Sequence, residues 1–265
     1  MEISPRRRRL RKIRGVVIQV GILCLIKVAV YFTGMERLSA NALLSALVAS
    51  TVFLLGFLLN GVLTDFKESE KIPGEIATAL ESLSLEVKAI PVYNSKAKIG
   101  SAATAIASLA EDLVYWFRED LSTERFLLSY QRVHGEIVGA AAQFNGDAST
   151  LRGRLMQDMA LIMQKVNRVR TLRETRFVPL VYWMADIASS LLFAGLVMTK
   201  SSNLPESVFF LAVISFLLIL LLRLIDDIDN PFGQSDVDSA EDVSIYLLVD
   251  IADRLKADLS QSPVE

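Results

Sequence analysis

Residues 42–63 read ALLSALVASTVFLLGFLLNGVL, twenty-two consecutive positions without a charge. A helix that crosses a hydrocarbon core about 30 Å thick needs about 20 mostly apolar residues. This stretch therefore reads as a membrane crossing, and three others stand beside it in the chain. Gly15–Phe32 is apolar apart from Gln19 and Lys27, and Phe177–Met198 carries one carboxylate, Asp186. Val208–Leu222 is short, but it reaches Ile225 if Arg223 extends its head to the interface. Short links, Thr33–Asn41 and Thr199–Ser207, join the crossings into two hairpins.

Composition agrees with this division. The 265 residues are 52% hydrophobic and 22% charged, with a mean hydropathy of +0.41, and the apolar residues are gathered in blocks. That pattern excludes an ordinary water-soluble domain, a disordered chain and a secreted disulfide scaffold. Cys24 is the single cysteine and His134 the single histidine, so neither a disulfide nor a His/Cys zinc site is expected. The expected organisation is a basic segment 1–14, a hairpin 15–63, a helical domain 64–176, a second hairpin 177–225 and an acidic tail 226–265.

Basic residues set the expected orientation. Arg6, Arg7, Arg8, Arg9, Arg11, Lys12 and Arg14 precede the first crossing, whereas the links offer only Arg37 and Lys200. By the positive-inside rule both termini and the middle domain face the cytoplasm, in a cell (inner or plasma) membrane. Arg168, Arg170, Arg173 and Arg176, before the third crossing, agree. The basic cluster abuts a hydrophobic span, so it reads as a topology signal and no nucleic-acid partner is expected. Ala40-Asn41-Ala42 has the small-residue spacing of a signal cleavage site, but the preceding span is long, carries Lys27 and is followed by another span.

The middle domain shows helical periodicity. Ile106, Leu109, Leu113, Phe117 and Leu121 form one apolar stripe, and Leu151, Leu155, Met159, Ile162, Val166 and Val169 form another. Asn145-Gly146-Asp147 suits the turn between them, and Pro73-Gly74 should break the helix leaving the second crossing. With no competing strand pattern the chain reads as all-α. Beyond the fourth crossing, residues 223–265 hold three basic and eleven acidic side chains, and Val243–Leu255 reads as a short amphipathic helix.

Chemistry has few candidates. There is no glycine-rich phosphate loop, nucleophile elbow or His-x-x-x-His pair, and His134 reads as a packing or surface residue, so no enzyme is expected. Lys27 and Asp186 lie within crossings, where isolated charges are costly; they form either a structural ion pair or part of an ion or proton path. The uncharged second crossing places Phe53 and Phe57 four residues apart on one face, with Ala46, Ala49 and Gly56 permitting close helix contact. Such rings either line a pore as a hydrophobic constriction or face lipid or the core. The tail acids suit calcium as a ligand class, yet they lack the ordered spacing of an EF-hand loop and read as a solvated exit.

Two short motifs carry a resemblance. Phe53-Leu54-Leu55-Gly56-Phe57 resembles the second transmembrane helix of the bestrophin anion channels, and Asn230-Pro231-Phe232-Gly233 beyond the last crossing resembles the bestrophin tail segment. Arg173 and Arg176, then Pro179 and Trp183, are similar to the entry to the third crossing in the bestrophin-like domain of unknown function. The order of two crossings, a helical block, two crossings and that tail is also similar. The resemblance implies a homopentamer around an axial pore for small anions such as chloride, with Phe53, Gly56, Phe57 and Asn60 lining its neck. Ala49 takes the next place up that face, where animal bestrophins carry a bulky apolar residue. The family's calcium clasp is a dense acidic run directly after Asn-Pro-Phe-Gly. Here Gln234 and Ser235 intervene before Asp236 and Asp238, so no cofactor is expected. The aromatic pair after the family's second crossing is reduced to Phe66, between Asp65 and Lys67. The leading expectation is a bilayer-embedded, self-associating anion channel. The alternatives are a non-conducting scaffold that binds a partner through its polar helices, and a proton-coupled transporter using Asp186.

Overall fold

The computed structural model of the chain describes residues 5–144, 148–174, 179–232 and 242–261. The expected turn at Asn145-Gly146-Asp147, Arg176, and the tail from Gly233 through Glu241 lie outside the described residues. The protein is all-α, and among the described residues no strand forms; one isolated backbone bridge joins Leu38 to Thr199. Two compact units are present. One takes in residues up to 66 and those between 179 and 231; the other takes in 67–174, Phe232 and 242–261.

The first unit is that of an integral membrane protein. Its helices are α1 (Pro5–Phe32), α2 (Ala42–Ser69, whose last three residues belong to the second unit), α7 (Pro179–Met198) and α8 (Leu204–Ile228). Each is long and apolar enough to cross a membrane. The helices start where the chain supplies caps: Asn41 Oδ1 accepts the Leu44 amide at 3.1 Å before α2, and Pro205 with Glu206 occupies the first turn of α8. Leu55, Leu58 and Val62 of α2 bury against Ala185 and Leu192 of α7 and Leu218 and Ile225 of α8. Val16 and Val20 of α1 bury against Ile219 of α8.

The Arg223–Gln19 pair gives the polar residues of α1 and α8 a local explanation. The guanidinium of Arg223 does not stand free at the interface; it folds back onto α1, donating to the Lys12 carbonyl at 3.3 Å and to Gln19 Oε1 at 3.0 Å. This accounts for the polar residue in an otherwise apolar stretch. It also accounts for Gly15: a Cβ there would stand 2.7 Å from Arg223 Nη1.

The second unit packs α3 (Ile72–Tyr93), α4 (Gly100–Phe117), α5 (Thr123–Ala141), α6 (Ala148–Glu174) and α9 (Tyr246–Gln261). Proline in the first turn fixes the start of α3, because the missing N–H is one that a helix start leaves unpaired anyway. All six members of the 151–169 stripe are buried, as the 3.6-residue period requires. The 106–121 stripe is buried only as far as Phe117. There α4 ends, Glu119 turns the chain at φ 64°, and Leu121 falls outside the helix. Ser122 then caps α5 by accepting the Arg125 amide. This additional helix stands between the two stripes, where the sequence suggested a single turn. The tail helix α9 buries Leu248, Ile251, Ala252 and Leu255 on α3 and α4. Its rim pairs Arg254 with Glu81 at 2.7 Å and Lys256 with Glu111 at 2.5 Å. These pairs are solvent-exposed and screened, so they contribute little; the apolar stripe holds the helix.

Candidate functional site

The period of α2 decides what it presents. Thr51, Leu55, Leu58 and Val62 turn inward, and Thr51 Oγ1 satisfies itself on the Leu47 carbonyl at 2.8 Å. The opposite face carries Ala46, Ala49, Phe53, Gly56, Phe57 and Asn60, all exposed within the protomer. Phe53 is 77% exposed and Phe57 58% exposed. Gly56 faces open space between them, with no heavy atom within 4 Å of where a Cβ would stand. The two rings lie about 6 Å apart along the axis, and Asn60 follows about 4.5 Å further on. The face is thus an apolar double step of rings, bordered by small residues above and a carboxamide below. Thr64 extends it by another polar turn, its hydroxyl donating to the Asn60 carbonyl at 2.8 Å.

The two intramembrane charges behave differently from each other. Lys27 is fully buried, and its partner is Glu36 in the first link rather than Asp186: Nζ lies 2.6 Å from Glu36 Oε1. The same ammonium donates to the Val197 carbonyl at 3.3 Å and to the Thr199 carbonyl. Glu36 Oε2 accepts the Ser201 amide at 3.3 Å, and the Arg37 and Leu38 amides both donate to the Met198 carbonyl at 3.1 Å. Lys27 thereby ties the two hairpin links together, which is a structural role. The hydrogen bond from Lys27 holds the Glu36 carboxyl below the usual carboxylate range. Asp186 is exposed on α7, beside Trp183 and Ser190. Of the readings left open for these charges, the Lys27–Asp186 pair does not form within the protomer; Lys27 pairs with Glu36, which sequence periodicity does not reveal because Glu36 sits in an irregular link.

In the tail motif, Asn230 is exposed while Pro231 and Phe232 are buried; Gly233 lies outside the described residues. The Phe232 ring packs edge-on against Phe117 at 5.6 Å, in the second unit. Phe117 closes α4, and its carbonyl accepts Arg173 Nη2 at 2.9 Å while the guanidinium lies 4.8 Å from the Trp116 ring. Arg173 is thus a C-terminal cap and cation–π partner for α4, a role that no sequence spacing signals. His134 is exposed on α5. Among the described residues no group of three or more His, Cys, Asp and Glu side chains is placed to hold a metal ion.

Neither a protein-family model nor a curated protein sequence matches the chain. Solved structures do. A crystal structure of a bacterial bestrophin homologue from Klebsiella pneumoniae, a single-residue variant, superimposes with a TM-score of 0.73 at 16% identity over 95% of this chain and 100% of that one. Another structure of a bacterial bestrophin homologue from the same organism gives 0.69 at 16% identity, over 96% and 99%. A further crystal structure, described as a membrane protein, gives 0.72 at 16% identity over 95% and 100%. The chain has the fold of the bacterial bestrophin homologues over about 95% of its length.

Proposed function

We propose that the protein is a homo-oligomeric channel that passes small anions such as chloride passively, its copies gathered around a shared axis with α2 facing inward. The observation that carries this reading is the exposed face of α2. Two large rings are left uncovered by their own protomer on a helix that buries Leu55, Leu58 and Val62 on its other face. Arranged around an axis, Phe53 and Phe57 form a constriction that excludes water when narrow, Gly56 leaves room between the rings, and Asn60 and Thr64 rewet the path. The bestrophin-homologue fold supports the same arrangement. In this reading the protein sits in the plasma or inner membrane with both termini and the α3–α6 and α9 unit in the cytoplasm, following the basic residues at 6–14.

Reconstitution tests it. Full-length protein in chloride-loaded liposomes should dissipate an anion gradient with no requirement for a proton gradient, and Phe53→Ala or Phe57→Ala should raise the flux. A flux that needs a proton gradient and disappears in Asp186→Asn makes the protein a coupled transporter instead. Absence of flux at every voltage and calcium level leaves an anchored helical scaffold.

A further inference from the structure

Helices α1 and α8 border, with Phe193 of α7, a shallow, open crevice of about 430 Å³ on the side of the membrane unit. Ile22, Leu23, Phe193, Ile219 and Leu222 make its walls, and Gln19 with Arg223 makes its one polar end. That end lies toward the N-terminal end of α1 and the C-terminal end of α8, about two helical turns along α1 from Lys12.

The guanidinium at this end is held but not neutralised. Its acceptors, the Lys12 carbonyl and Gln19 Oε1, are both uncharged. Asp227, one turn further along α8, is engaged by Lys12 at 2.5 Å. A half-buried cation with neutral acceptors draws an anion, and the planar fork of arginine suits the paired oxygens of a phosphate. The walls ask for the opposite chemistry. They are aliphatic and aromatic, and they lie at the depth of acyl chains, where water gains nothing by filling them. A free phosphate leaves the walls uncovered, and a lipid with no net charge leaves the guanidinium unanswered. Basic pockets between transmembrane helices are the recurrent way in which membrane proteins hold acidic headgroups.

We propose that this crevice is a binding site for one anionic phospholipid per protomer, with the phosphate on Arg223 and one acyl chain laid along Ile22, Leu23, Phe193 and Ile219. The site is separate from the α2 face and does not depend on whether the protein conducts.

The test is native mass spectrometry of the full-length protein in mild detergent, titrated with phosphatidylglycerol or with phosphatidylcholine of the same acyl chains. One phosphatidylglycerol per protomer should be retained, with a preference over phosphatidylcholine of about five- to tenfold. Arg223→Gln should abolish the preference, and Ile219→Trp, which fills the crevice and leaves the guanidinium in place, should lower phosphatidylglycerol retention. Soluble glycerol phosphate should not compete. Equal retention of the two lipids, a preference that survives Arg223→Gln, or effective competition by glycerol phosphate overturns the proposal. If Arg223→Gln does not fold, unchanged phosphatidylglycerol retention in Ile219→Trp overturns it alone, and so does a wild-type protein that retains no lipid because a neighbouring copy covers the crevice.

Discussion

Lys27 Nζ lies 2.6 Å from Glu36 Oε1, and through that contact a lysine buried in the first crossing fastens the two hairpin links to each other. Removing one partner of a buried pair strands the other charge, at a cost of about 3–5 kcal/mol. Glu36→Gln should therefore lower thermal stability sharply, while Lys27→Met combined with Glu36→Gln should recover part of the loss; scanning fluorimetry in detergent reads both. The carboxyl is held below its ordinary range, so its stabilising contribution is complete above that range and is lost as pH falls through the lowered value. Wild-type stability should respond more steeply than Glu36→Gln to acidification below the usual carboxylate range.

Phe232 is fully buried on Phe117, whose carbonyl Arg173 holds. Phe232→Ala should cost about 3–5 kcal/mol of stability. Scanning fluorimetry in detergent should then show a clearly lower melting temperature than the wild type.

Ser189 and Ser215 are buried in the membrane unit, and neither hydroxyl has a hydrogen-bond partner among the described residues. A hydroxyl already without a partner loses no bond on removal. Ser189→Ala and Ser215→Ala should each be neutral or stabilise by up to about 1 kcal/mol, seen as an unchanged or higher melting temperature.

Gly15→Ala places a Cβ 2.7 Å from Arg223 Nη1. The long side chain can swing away, so the cost is the loss of its bonds to Lys12 and Gln19, about 1–2 kcal/mol. Arg223→Gln should cost a similar amount, and the double variant should cost little more than either alone, since both lose the same contacts.

The crossings could be read from the chain because each is a long apolar block with polar flanks, and α2 and the 151–169 stripe match their sequence periods residue for residue. What escaped the sequence depends on irregular or distant partners. Glu36 meets Lys27 through a link with no period, and Arg223 finds Gln19 more than 200 positions away. Leu121 fits the spacing of the α4 stripe, yet the left-handed turn at Glu119 removes it from the helix. The exposed face of α2 was visible as a pattern of rings and small residues. Its exposure was not, because only packing decides which side of an all-apolar helix the protomer buries.

Anion flux through liposomes containing wild-type, Phe53→Ala and Phe57→Ala protein, matched for oligomer content by native mass spectrometry, tests the central claim most directly. The wild type should release chloride down its gradient without a proton gradient, and each alanine variant should release it severalfold faster by widening the constriction. A monomeric protein, or release that is absent or identical in all three, would contradict it.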